Sequence, residues 1–154
     1  GWLVGSPFTG WLSDRIQSRR YVMMMGSLFA AVSIALILVF VPKNPYIMGG
    51  LLFLLGVFTS AEILAFVIAR ESTPLRLAAT AIGFINFLVM LGGMLIQPAV
   101  GHLLDIFWTG HVHHGIPVYH TLAYRYAMGI VPVMMLAGLV LAYFLKETYG
   151  VHHD

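Results

Sequence analysis

Cysteine is absent from the 154 residues, and charge is scarce: Asp, Glu, Lys and Arg together make up 9%. The first absence excludes disulfides and thiolate metal sites but says little about compartment. The second is more decisive, because a soluble domain carries about a quarter charged residues. With 60% hydrophobic residues and a mean hydropathy of +0.90, the chain has more apolar surface than a core of its size needs. Lipid is its natural solvent. The net charge of +2 is too small to argue for nucleic acid. No signal peptide is visible, since the n-region, the discrete h-region and the cleavage site are all missing. The sequence opens at Gly1 inside an apolar segment, so the expectation is a portion of something longer.

What is present is a series of apolar runs with short polar punctuation. Tyr21 to Val41 carries no charge and is long enough, at about 1.5 Å per residue, to cross a hydrocarbon core of about 30 Å. Pro42-Lys43-Asn44-Pro45 stops it. Tyr46 to Ala69 is a second span, interrupted by Glu62. A polar turn follows over residues 70–76. Leu77 to Leu104 is a third span, rich in glycine and ending at Asp105. A loop from Trp108 to His120 carries His111, His113, His114 and His120, and Thr121 to Leu145 is a fourth span containing Pro132. Residues 1–12 read as the tail of an earlier span. The predicted fold is all-α: a polytopic membrane helix bundle of four transmembrane helices and the end of a fifth.

Basic residues in the connecting segments set orientation. If the spans alternate, Arg15, Arg19, Arg20, Arg70, Arg76 and Lys146 share one side, and only Lys43 and Arg125 lie on the other. The first side is expected to be cytoplasmic, along with the C-terminus. Tyr21, Tyr46, Trp108, Tyr119, Tyr124 and Tyr149 fall near span ends, where an interfacial belt belongs.

The segment GWLSDRIQSRR, residues 10–20, concentrates charge in a chain that has little of it. Gly10, Leu12, Ser13, Asp14, Arg15, Arg19 and Arg20 resemble the loop signature of the major facilitator superfamily of transporters, roughly G-x-L-x-D-R-x-G-R-R. In that family the signature joins helices two and three of one half and, in a weaker copy, helices eight and nine of the other. Four spans after the motif fit the second copy, so residues 1–154 resemble the C-terminal part of a bacterial-type member, from the end of helix eight through helix twelve. Arg70-Glu71-x-x-Pro74-x-Arg76 before Ala79-Thr80-Ala81-x-Gly83 is similar to the family's link between helices ten and eleven. Phe144-Leu145-Lys146-Glu147-Thr148 is similar to its last helix and exit. Gln17 and Ser18 depart from the pattern, standing where one glycine is usual and lengthening the approach to the arginine pair.

The resemblance implies alternating access by two halves rocking about a central site in a twelve-helix fold. It also implies a cell inner (plasma) membrane location. The implied partners are a small-molecule substrate, protons, the lipid bilayer and the N-terminal half of the same transporter, with no nucleic acid and no cofactor. The charged residues Asp14, Arg15, Arg19, Arg20, Glu71 and Arg76 then read as a conformational latch. Asp14 can accept from the N–H groups at a helix N-terminus, which the resemblance places in the opposite half of the transporter, and Arg19 or Arg20 can reach Glu71. The plainer alternative is a solvated turn obeying the positive-inside rule, which by itself accounts for the arginines.

Three polar residues lie inside the spans. Glu62 is eight residues from Arg70, about 12 Å into the membrane at the helical rise. A carboxylate there must face a cavity or hold a proton. It reads either as a proton-coupling or substrate group, or as a neutral side chain hydrogen-bonded between helices. Asn86 and Gln97, eleven residues apart, return to one helical face within about 20°. With Gly93 on that face they can line a transport pathway or bond a neighbouring helix. His102 and Asp105 are spaced for a helix-end pair, and Arg125 is placed to snorkel toward the interface. The histidine loop contains no carboxylate and is a poor metal site, so no metal is expected.

Three functions can be weighed: secondary active transport, a self-assembling four-span membrane protein, and an intramembrane enzyme. An enzyme is disfavoured, because HExxH is absent and no Ser–His or Asp pair sits at depth. The favoured reading is proton-coupled uptake of a small metabolite, with efflux of drug-like or organic compounds as the alternative.

Overall fold

In the computed structural model, residues 1–110, 112–113 and 116–147 are described, and they form the all-α membrane bundle that composition predicts. Four stretches are long and apolar enough to cross a membrane: Arg19–Phe40, Pro45–Glu71, Leu75–Ile106 and Thr121–Tyr143. Helix α1 (Trp2–Ile16) precedes them and runs past residue 12, through Gly10 and Asp14. The turn expected over residues 10–20 is therefore much shorter, for α2 (Arg19–Phe40) begins almost at once.

Only Gln17 and Ser18 separate the two helices, and each has one task. Gln17 ends α1 with φ 55° and ψ 33°, a left-handed conformation that glycine adopts freely and other residues adopt at a cost of about 1–2 kcal/mol. Ser18 starts α2, its hydroxyl accepting from the Tyr21 N–H at 3.1 Å as an N-cap. One glycine's work is thus divided between two residues, and the connection stays tight.

The second long span is three pieces: α3 (Pro45–Thr59), a 3-10 turn (Ser60–Glu62) and α4 (Ile63–Glu71). Asn44 caps α3 by accepting from the Tyr46 N–H at 2.9 Å, with Pro45 at a position where its missing N–H costs nothing. At the 3-10 turn the Thr59 hydroxyl donates to the Leu55 carbonyl at 2.9 Å and the Ser60 hydroxyl to the Val57 carbonyl at 2.6 Å. Such side-chain bonds compete with the helical ladder and bend it. Arg70 and Glu71, expected in a turn, are the last residues of α4.

A second 3-10 turn (Leu75–Leu77) leads into α5 (Ala78–Ile106), which continues through Pro98. A two-residue antiparallel ladder, β1 (Val112–His113) on β2 (Ile116–Pro117), links it to the last span. That span is α6 (Thr121–Met128) and α7 (Ile130–Tyr143), interrupted at Gly129. Pro132 has no N–H for the Met128 carbonyl, so the interruption lies one turn upstream of the proline.

Helix α2 is central and packs on both α3 and α7, while α1 lies along α3 and its 3-10 turn. Helix α5 is peripheral and touches α4 at one end and α6 at the other. The buried apolar positions are mostly small, among them Ala30, Ala31, Ala61, Ala123, Ala127 and Ala142, with Leu64 the large exception. Leu3, Phe40, Met94 and Leu141 point outward. Lipid solvates large side chains as well as a core does, so helices associate through small residues that let backbones approach. On α1 those residues recur every fourth position as Gly1, Gly5, Thr9 and Ser13. A Cβ on Gly5 would stand 2.4 Å from Ser60 Oγ, and one on Gly26 of α2 would stand 2.4 Å from Ala61 Cβ.

Candidate functional site

The end of α1, the start of α2 and the end of α4 bring Asp14, Arg19 and Glu71 together. Arg19 opens its guanidinium fork across two carboxylates: one amine donates to Asp14 Oδ1 at 2.5 Å, the other to Glu71 Oε1 at 3.0 Å. The first amine also donates to the buried Ser13 hydroxyl at 3.0 Å. Asp14 is 67% exposed, whereas the Arg19 and Glu71 side chains are only 12% and 7% exposed. The fork matters here, since an ammonium could not serve Ser13 and Glu71 from one plane.

A fourth participant was not read from the sequence. Glu147, just beyond α7, accepts from the Ser18 hydroxyl and from the Arg19 backbone N–H, both at 2.7 Å. It places an anion on the positive end of α2. Asp14, expected to meet a helix N-terminus of the opposite half of the transporter, pairs here with Arg19. At the opposite end of α2, Arg125 donates to the Val39 carbonyl at 2.8 Å. Arg125 closes the negative end of the same helix. The signals were present, a Glu and an Arg spaced like the two ends of α2, but nothing local in the sequence pairs them.

Three residues assigned to the latch lie outside this cluster. Arg20 donates to the Tyr143 carbonyl at 3.3 Å and lies over the Tyr143 ring at 5.6 Å. Arg15 lies over the Trp11 ring at 5.2 Å. Arg76 is exposed on the 3-10 turn before α5 and has no polar partner among the described residues.

Glu62 occupies the 3-10 turn about two-thirds of the way along the stretch Pro45–Glu71, and its side chain is exposed. It borders a cavity of about 250 Å³ between α2, that turn and α7, with Ser27, Thr59 and Gly138 among the walls. Asn86, Gly93 and Gln97 are all exposed along α5, without a hydrogen-bond partner for either amide among the described residues. They are not brought near Glu62's cavity, whose walls include nothing from α5.

At the other end of the molecule, Asp105 accepts from the Tyr119 hydroxyl at 2.6 Å, and His102 stays exposed without joining it. That hydrogen bond, above all, holds the Tyr119 phenol above its ordinary value of 10.0. His111, His114 and Tyr149 lie outside the described residues, as does the side chain of His113; His120 is exposed at the start of α6.

A bundle with four membrane-crossing stretches, a core of small residues and its buried charges gathered at one end is a multi-pass membrane protein. Comparison of sequences places it further: the model of the Major Facilitator Superfamily matches residues 1–153. The chain belongs to that superfamily, whose members are membrane transporters rather than enzymes. No curated protein and no solved structure matches it.

Proposed function

We propose that the chain contributes to secondary active transport of a small solute by alternating access, with Glu62 as a proton carrier and proton-coupled uptake of a metabolite as the direction. The observation that carries this reading is the position of Glu62. It is a carboxylate inside a membrane-crossing stretch, on a broken piece of helix, bordering a cavity of about 250 Å³. Intramembrane carboxylates of that kind mark ion pathways, and broken helices are where transporters place coupling sites. Asn86 and Gln97 on α5 are proposed to line the solute path, facing a second, preceding half of the transporter. The Asp14, Arg19 and Glu71 cluster is the proposed latch on the cytoplasmic face of an inner membrane, reinforced by Glu147. Efflux of an organic compound uses the same parts in the other direction.

The test is transport in energised membrane vesicles as pH is varied. Glu62→Gln is expected to abolish the pH dependence of net uptake while sparing exchange of labelled for unlabelled solute. Uptake that still follows pH in that variant removes Glu62 from the coupling role.

A further inference from the structure

A groove between α1, α2 and α3 encloses about 210 Å³, walled by Phe8, Leu12, Met25, Phe29, Val57 and Phe58. At the end nearest the α1–α2 connection its walls are Ile16 and Tyr21. These two residues also wall a second, wider hollow of about 530 Å³, which adds Ser18, Arg20 and Tyr143. The two spaces adjoin at these shared walls, the first apolar along the helices and the second adding the Ser18 hydroxyl and the Arg20 guanidinium to a mostly apolar lining. Arg15 stands beside the groove, stacked on Trp11, whose ring is 6.0 Å from that of Phe8.

We propose that these adjoining hollows bind one anionic phospholipid, with an acyl chain in the α1/α2/α3 groove and its phosphate between Arg15 and Arg20. The charge inventory of this end of the molecule supports that occupant. Asp14 and Glu71 are engaged by Arg19, and Glu147 by the first turn of α2. Arg15 and Arg20 have no carboxylate partner among the described residues; each meets only an aromatic face and, for Arg20, a carbonyl. Two guanidiniums without an internal anion, at the headgroup depth marked by Trp11 and Tyr21, attract anionic lipid. The positive-inside tendency explains arginines on this face, but not an apolar groove beside them. The inference depends on the membrane embedding and is independent of what is transported.

Trp11 serves as the reporter in the full chain carrying Trp2→Phe and Trp108→Phe. The protein is placed in phosphatidylcholine vesicles containing graded fractions of brominated phosphatidylglycerol or brominated phosphatidylcholine. Phosphatidylglycerol is expected to quench Trp11 several-fold more strongly at equal fraction. That preference is expected to vanish in Arg15→Gln/Arg20→Gln and to persist in Arg70→Gln/Arg76→Gln, which removes the same charge from elsewhere on the same face. Equal quenching by the two lipids overturns the proposal. So does a preference that survives the first pair, or one that both pairs abolish, since that signals general leaflet charge. Soluble glycerol phosphate is expected not to displace the lipid; full displacement means a headgroup site without the groove and also overturns it. Retention of phosphatidylglycerol over phosphatidylcholine by the unmutated arginines in native mass spectrometry makes the same distinction if the arginine variants do not fold, and equal retention counts against the site.

Discussion

At the scale of single residues, Arg19 carries unequal bonds. Its contact with Asp14 is largely solvated, and exposed pairs contribute about 0–1 kcal/mol. Its contact with Glu71 is almost fully covered, where breaking a pair costs about 3–5 kcal/mol because the remaining charge stays buried. Arg19→Gln is expected to destabilise the detergent-solubilised protein by about 3 kcal/mol, read as a fall in its thermal unfolding midpoint, with Arg19→Lys recovering only part. Stability indistinguishable from the parent protein in Arg19→Gln would show that Glu71 is held by other means. Tyr119 supplies a pH dependence at the opposite end. Its folded-state pKa lies above 10.0 because Asp105 accepts a hydrogen bond from its hydroxyl, so the tether is intact below the ordinary tyrosine value and is lost as pH rises through the folded one. Fluorescence titration is expected to show tyrosine ionisation delayed to higher pH, and Tyr119→Phe is expected to remove the delayed component. Some of this was legible in the sequence. Charge scarcity singled out Arg19 and Glu71 as residues able to meet. That Arg19 rather than Arg20 does so depends on the αL residue at Gln17, which sets the rotation of α2 relative to α1.

At the scale of elements, hydropathy and turn residues locate the long helices, because lipid demands an uninterrupted apolar run with satisfied backbone groups. The interruptions are harder to see. The 3-10 turn at Ser60–Glu62 arises from hydroxyls bonding their own carbonyls, and the break at Gly129 is displaced from the Pro132 that causes it. Hydropathy is blind to both. The seam between α1 and α3 has a visible signature, the four-residue recurrence of Gly1, Gly5, Thr9 and Ser13, yet the charged motif overlapping it draws attention away. Gly5→Ala sets a methyl against Ser60 Oγ and Val57 and is expected to cost about 1–3 kcal/mol through overpacking. Gly93→Ala, with open space around it, is expected to leave the unfolding midpoint within experimental scatter or raise it slightly. If both alanines behave alike, the seam is not what joins α1 to the bundle.

For the molecule as a whole, the charged end and the Tyr119 end are separated by the length of α2, and only the first contains the proposed latch. The absence of native cysteine makes that end accessible to a clean measurement. A single cysteine introduced at the exposed Arg76 position is expected to react faster with a membrane-impermeant maleimide when Asp14→Asn is added. An unchanged rate speaks against a latch that involves Asp14. The overall class followed from composition alone, since so little charge over so many residues permits few other solutions. The arrangement of spans did not, because the contacts that fix it join residues as far apart as Arg19 and Glu147, 128 positions along the chain.

That last pairing bears on how the protein is made. Helix α2 emerges from the ribosome well before its two end partners: the cation for its last turn lies near the start of the span Thr121–Tyr143, and the anion for its first turn just past that span's end. Until Arg125 and then Glu147 are synthesised, α2 sits in the bilayer with both poles open. Biogenesis therefore includes a later step for this helix, in which the span Thr121–Tyr143 and the residues just after it return to α2 and buckle it at each end.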